Sequence, residues 1–102
     1  MATLLERRPD VRAVFCSADT LAIGALCEAQ RRGKRIPDDL AIAGFDDLDI
    51  AAQIVPALTT LRVPRYLLGS RAGDLICERL AGRKVARHIV DVGYEMVPRA
   101  TA

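Results

Sequence analysis

In Ile36-Pro37-Asp38-Asp39-Leu40-Ala41-Ile42-Ala43-Gly44-Phe45-Asp46-Asp47 a polar turn leads into an unbroken apolar run that stops at two carboxylates. The run from Leu40 to Phe45 has strand length and no alternation, the pattern of a strand covered on both faces in a parallel sheet flanked by helices. Asp46 and Asp47 then stand at its carboxyl end, and in open parallel α/β sheets ligands bind in the crevice outside those ends. Asp46 is therefore the first candidate for a binding residue. The competing role for either aspartate is to cap the short helix that follows, a place that Asp often fills, and for Asp47 the cap is the better account.

Upstream, Val11 to Cys16 reads as a second buried strand. Ser17-Ala18-Asp19 then opens a helix, with Ser17 as its cap and Asp19 in the first turn, where the helix dipole favours an anion. The helix runs from about Asp19 to Arg32, with Gly33 as its left-handed terminator. Its segment Leu21 to Cys27 is apolar around almost the full circumference, more than a helix resting on one sheet requires. Leu21, Ala25 and Leu26 suit the sheet, while Ile23 and Cys27, one turn apart, suit a second surface. That surface belongs to another subdomain or another subunit, or the helix is central in one well-packed domain. A parallel strand–helix–strand crossover brings both strands' carboxyl ends to one edge. If the two strands are neighbours, Ser17, Ala18 and Asp46 face one crevice.

Residues 2–8 look like the tail of a helix, closed by Pro9-Asp10. Downstream, Leu48 to Val55 is a short helix or turn, Pro56-Ala57 breaks it, and Leu58 to Val63 is a strand rich in Thr and Val. Pro64 starts a second long helix through Leu80, with Leu68, Ala72, Leu75, Ile76 and Leu80 on its packed face and Gly82 past its end. Gly69 and Gly73 inside it permit close backbone approach. Arg83 to Arg87 is a basic loop, Ile89 to Val92 and Tyr94 to Val97 are two short strands around Gly93, and Arg99 to Ala102 is a tail. The fold class is α/β, a parallel sheet flanked by helices.

With 102 residues the chain is one domain at most, and chains of this size bury roughly 65% of their unfolded surface. A net charge of +2 and a pI near 8.6, with the basic residues scattered, do not argue for a nucleic-acid or membrane surface. Charged residues interrupt every apolar stretch before the ~20 residues that a membrane span needs, and the first residues are not a signal peptide. Cys16, Cys27 and Cys77 are odd in number, lack metal-ligand spacing and sit in apolar contexts, which reads as three buried thiols in a reducing cytoplasm.

Nucleophilic catalysis needs a nucleophile beside a base, and the chain offers one histidine, His88, which reads as a surface residue, and two serines, Ser17 and Ser70. It has no Gly-rich phosphate loop, no dinucleotide fingerprint and no His or Cys cluster. Asp46, Asp47 and Asp49 could suggest a Mg²⁺ site, but no second acidic cluster accompanies them. No enzyme, cofactor or metal is expected.

Three segments, taken together, resemble a known family. Ala13-Val14-Phe15-Cys16-Ser17-Ala18-Asp19-Thr20-Leu21-Ala22-Ile23-Gly24-Ala25, then Ile36 to Asp47, then Pro56-Ala57-Leu58-Thr59-Thr60-Leu61 are similar, in order and spacing, to the closing third of lactose/galactose-repressor family transcription regulators. The match covers nearly the whole chain, and Ala41 to Phe45 with Val63-Pro64-Arg65-Tyr66 look most similar to its gluconate-type repressors. The resemblance implies a periplasmic-binding-protein-like effector core of two α/β subdomains, preceded by a helix-turn-helix headpiece; the headpiece and the first half of the core are absent from this chain. By that layout residues 1–61 belong to the C-terminal subdomain, 62–92 to the N-terminal one, and 93–102 form the return segment and tail.

The resemblance also implies roles. Asp46 matches the family aspartate that accepts hydrogen bonds from effector hydroxyls. Ala18 falls where sugar-responsive members often carry a contacting Asn, a bond that Ala cannot make, which leads away from a neutral sugar. Arg65 falls at a pocket-facing position and could pair with an effector carboxylate, or be a solvated residue of a first helical turn. Ile23, Cys27, Gln53 and Ile54 match the family's dimer surface. The expected function is the effector-binding and dimerisation part of a cytoplasmic, ligand-responsive repressor that senses a sugar or sugar acid such as gluconate. It would reach operator DNA only through the missing headpiece, so this chain alone should bind none. A transporter's solute-binding protein shares the core fold, though three unpaired cysteines oppose an oxidising compartment. A small acid-using enzyme built on Asp46 and Asp47 is the third reading.

Overall fold

The computed structural model describes residues 1–83 and 89–102. Most of the basic loop expected after Gly82 lies outside them, as does His88. The elements are α1 (Ala2–Arg7), β1 (Ala13–Phe15), α2 (Asp19–Arg31), β2 (Ala41–Phe45), α3 (Asp49–Gln53), β3 (Thr59–Arg62), α4 (Arg65–Leu80) and β4 (Glu95–Val97). They divide into two compact units, Met1–Arg62 with Met96–Ala102, and Val63–Glu95.

The first unit is built on the sheet, in the order β1-β2-β3-β4. β2 is parallel to both neighbours, with Ala13 opposite Ala41 and Ala43 opposite Thr59. Along β2 burial alternates, with Ile42 and Gly44 fully covered and Ala41, Ala43 and Phe45 half-buried. The continuous apolar run therefore does not mark a strand fully covered on both faces. β1 departs further: Phe15 is 58% exposed and Val14 half-buried.

α2 packs on β2 through Asp19, Ala22, Ala25, Leu26 and Ala29, a stripe at three- and four-residue spacing. Leu21, expected on the sheet, is instead 59% exposed. The burial of Asp19 sets the helix's rotation, and Leu21 lies one residue off that stripe. Alanines let the helix come close, and Gly44 marks the nearest approach: a Cβ there would collide with the Asp19 carboxylate and lie 3.2 Å from its Cα. The helix ends at Gly33 (φ 73°), where the Gly33 N–H donates to Gln30 O at 2.9 Å and the Lys34 N–H to Ala29 O at 3.0 Å. These paired bonds satisfy carbonyls that the last turn leaves open. Leu5, Leu40, Ile42, Ala51 and Leu58 complete the core, its larger aliphatic side chains contributing about 1.5–3 kcal/mol each.

The tail after Met96 is part of this unit. Ile42 extends past the start of β3, and Thr101 takes up its bonding edge: the Ile42 N–H donates to Thr101 O at 2.8 Å, and the Thr101 hydroxyl donates to Ile42 O at 2.7 Å. The same hydroxyl accepts from the Thr59 N–H at 2.9 Å. Thr101 is fully buried.

The second unit consists mainly of α4, which starts at Arg65 with Pro64 as its N-cap, one residue later than expected. None of its residues is buried; Leu68, Ile76 and Leu80 are exposed and Leu75 is half-covered. The expected packed stripe thus has no cover among the described residues. Gly69 and Gly73 meet nothing within 4 Å, so they serve no close approach here. Residues 89–92 form no strand, and the one expected from Tyr94 starts at Glu95. The thiols depart from expectation too, Cys16 being half-buried and Cys27 and Cys77 exposed. Burial pushes the Cys16 thiol above its ordinary value.

Candidate functional site

Because β1, β2 and β3 run the same way, their carboxyl ends share one edge. Cys16-Ser17-Ala18 leaves β1 there, Asp46-Asp47 leaves β2, and Arg62 ends β3. Ser17, Ala18 and Asp46 therefore lie along the same edge of the sheet.

Ala18, in extended backbone, is the N-cap of α2, and no side chain caps that end. Ser17 is exposed and not the expected cap. The adjacent Asp19 turns inward instead, and although completely buried it is fully partnered: the Thr60 hydroxyl donates to Oδ1 at 2.6 Å and the Leu48 N–H to Oδ2 at 2.7 Å. A buried carboxylate is tolerable only with such partners. Asp19 ties the start of α2 to β3 and to the turn after β2.

That turn carries Asp46 (φ 108°) and Asp47 (φ 49°), both in the left-handed region. For a residue other than glycine such backbone costs of order 1–3 kcal/mol and persists only where surrounding structure over-determines it. Here each N–H is held in sequence: Asp46 donates to Leu61 O at 2.9 Å, Asp47 to Thr60 Oγ1 at 3.4 Å, and Leu48 to Asp19.

Asp47 caps nothing; the N-cap of α3 is Leu48. Its carboxylate lies between two guanidinium groups, accepting from Arg99 Nη2 at Oδ1 (2.6 Å) and from Arg62 Nε at Oδ2 (2.7 Å). Arg99 foremost, then Arg62, holds the Asp47 carboxyl below the usual carboxylate range against the opposing effect of burial. Arg99 is fixed in turn, donating through Nη1 to Leu58 O at 2.8 Å and through its backbone N–H to Thr59 Oγ1 at 2.8 Å. Asp47 is thereby committed to arginine on both oxygens and is a poor cation ligand. Among the described residues no group of three or more His, Cys, Asp or Glu gathers as a metal site.

Asp46 differs from its neighbour. It is half-buried, and among the described residues no hydrogen bond or ion pair engages its carboxylate. The hydrogen-bonded turn thus presents a carboxyl group without a partner among the described residues at the common edge.

Arg65 is exposed, at the start of α4 in the second unit. Of the expected dimer residues, Ile23 and Ile54 are half-buried against the core while Cys27 and Gln53 are exposed. One concavity runs along α1, β1 and α2, lined by Met1, Leu4, Val14, Leu21 and Gly24; another, within the second unit, is lined by Leu67, Arg71, Leu75, Val90 and Val92. Neither includes Asp46.

Asp19, Thr60 and Arg99 were not readable as parts of this edge. A glycine inside the apolar run, Gly44, does signal close approach of another backbone, but not by which residue. Nothing in a tail arginine announces a bond to an aspartate 52 residues earlier.

The whole chain, residues 1–102, matches the periplasmic binding protein-like domain. It is 41% identical over 96 residues to the HTH-type transcriptional regulator GntR of Pseudomonas aeruginosa, covering 94% of this chain and 28% of that protein. To the HTH-type transcriptional repressor PurR of Vibrio campbellii it is 33% identical over 99 residues, covering 97% and 29%. Among solved structures, the transcription regulator GntR from Chromobacterium violaceum superposes with a TM-score of 0.78 at 40% identity, over 98% of this chain and 37% of that one. A cellobiose complex of the transcriptional regulator CelR gives 0.86 at 30% identity, over 99% and 31%. The chain spans under a third of the length of these two curated relatives. No helix among the described residues is long and apolar enough to cross a membrane. The chain belongs to the periplasmic binding protein-like domain family and corresponds to part of the effector-binding domain of lactose-repressor-type transcription regulators.

Proposed function

We propose that the chain is the effector-binding and dimerisation part of a cytoplasmic, ligand-responsive repressor, and that its effector is a sugar acid such as gluconate. Asp46 accepts hydrogen bonds from effector hydroxyls, beside Ser17 and Ala18 on the same edge. Arg65 pairs with the effector carboxylate. In this reading the first unit is the C-terminal subdomain and Val63–Glu95 a segment of the N-terminal one. Ile23, Cys27, Gln53 and Ile54 meet a second copy, and a headpiece carried by the complete gene product contacts operator DNA. Effector binding shifts the poise of the subdomains and with it the affinity for DNA.

The observation that carries the reading is the Asp46 carboxylate, without a partner among the described residues and held at the strand-end edge by the backbone hydrogen bonds of its turn. The gluconate assignment rests on the gluconate-type resemblance at Ala41 to Phe45 and Val63 to Tyr66, and on Ala18, which cannot bond a neutral sugar as Asn would. The solute-binding alternative has less support, since these relatives are named as regulators.

Calorimetry of the complete gene product against D-gluconate and a panel of neutral sugars tests it. Asp46→Asn should weaken gluconate binding by about tenfold or more, the scale of a lost bond to a charged group. Arg65→Ala should weaken gluconate and leave any neutral sugar unaffected. No heat with any sugar acid, together with full binding by Arg65→Ala, would remove the gluconate assignment.

A further inference from the structure

The two arginines on Asp47 flank the two places where the chain passes between its units. Arg62 is the last residue of the first unit before Val63, and Arg99 follows shortly after the chain returns at Met96. Both grip one carboxylate, at 2.7 Å and 2.6 Å, and that carboxylate belongs to the residue next to Asp46. Asp47 has a left-handed φ of 49° that an L residue adopts at a cost, and the two arginines add side-chain anchors to the N–H bond that Asp47 makes to Thr60 Oγ1. Its side chain is 9% exposed, and the Arg99 side chain 18% exposed, so solvent competes poorly for this pair. Arg99 donates as well to Leu58 O and through its backbone to Thr59 Oγ1, which anchors the returning segment to the strand that Arg62 ends.

We infer that Asp47 is a positioning residue: held by Arg62 and Arg99, it fixes the backbone that aims Asp46 and fastens both crossing segments to that same turn. The inference rests on the reading of Asp46 as the effector contact. Movement of either crossing segment is then felt at Asp46, and an effector seated on Asp46 restrains both crossings. Asp47 itself touches no effector; it acts through its neighbour.

The test uses the complete gene product carrying Asp47→Asn, Arg99→Ala, Arg99→Lys or Asp46→Asn, with D-gluconate as the probe and two readouts, calorimetric affinity and amide hydrogen exchange without ligand. Arg99→Ala and Asp47→Asn should speed exchange at the Asp46 to Leu48 amides by about tenfold or more while β2 amides keep their protection. The same variants should weaken gluconate binding by about fivefold or more, an indirect effect smaller than that of Asp46→Asn. Arg99→Lys, which keeps a cation within reach of Asp47, should recover much of both. Arg99→Ala with a lowered melting temperature, unchanged exchange at 46–48 and unchanged gluconate affinity would overturn the inference. If Asp46→Asn abolishes binding while Asp47→Asn and Arg99→Ala bind normally, the positioning role alone fails. Full binding by Asp46→Asn removes the effector reading and the positioning role with it. Should the unsubstituted protein give no heat with gluconate, the exchange at 46–48 decides by itself.

Discussion

Two adjacent aspartates, alike in the sequence, receive opposite surroundings. Asp47 is neutralised by Arg99 and Arg62, whereas the Asp46 carboxyl has no partner among the described residues. A folded carboxyl held below its ordinary value stabilises the fold at neutral pH, and the contribution fades as pH falls from the unfolded range near ~4 through the lowered folded value. Asp39, gripped by the Arg35 side chain and backbone N–H, is pushed down to about 2 and acts in the same direction. Stability of the chain should therefore decline between about pH 4 and pH 2. Arg99→Ala should be less stable at pH 7 and show a flatter dependence across that window, because Asp47 then titrates nearer its unfolded value; equal slopes in acid titrations followed by circular dichroism would contradict this. Gly44 is the other decisive position. Gly44→Ala drives a methyl into the Asp19 carboxylate and crowds Leu58 Cδ2 at 3.0 Å. Overpacking of this kind costs about 1–3 kcal/mol, to be read from the urea midpoint.

At the scale of elements, strand placement owes much to the residues that follow β4. Thr101, 42 positions from Thr59 and 59 from Ile42, bonds to both and covers the part of β2 that extends past β3. Thr101→Val keeps the volume and removes the hydroxyl, leaving the Thr59 N–H without its acceptor and Ile42 O without that donor. Each unsatisfied buried group costs about 1–3 kcal/mol, so the variant should lose at least that much in a urea titration, and a change below about 0.5 kcal/mol would show that the tail does not clasp the sheet. Residues 99–102 looked like a tail because a run of Arg, Ala and Thr has no periodicity from which pairing can be inferred. The first three strands and the long helices were legible because apolar runs, Gly33 and Gly82 mark them locally, whereas the strand expected over Ile89 to Val92 does not form. The rotation of α2 was not, since it depends on a buried aspartate that hydrophobic patterning assigns to solvent.

For the whole molecule, the division of burial is uneven. The described core residues all belong to the first unit, while α4 in the second buries none of its residues. Helices owe most of their stability to packing of an apolar face. In the 102-residue chain, then, α4 amides should exchange with solvent far faster than those of α2 and β2, by about two orders of magnitude or more, and equal protection would show that the two units unfold as one. The stripe of Leu68, Ile76 and Leu80 has no cover among the described residues.

The sequence by itself determined the α/β class, the order of strands and long helices, the helix terminators and the placing of Asp46 at a strand end, because each follows from spacing along a few neighbouring residues. Tertiary structure decided which aspartate is bound by arginine and which has no partner among the described residues, since that depends on Asp19 at the start of α2, Thr60 and Arg62 in β3 and Arg99 in the tail, three other parts of the chain. It also decided which helix faces are covered, because burial depends on a partner surface that an amphipathic pattern can call for but cannot supply.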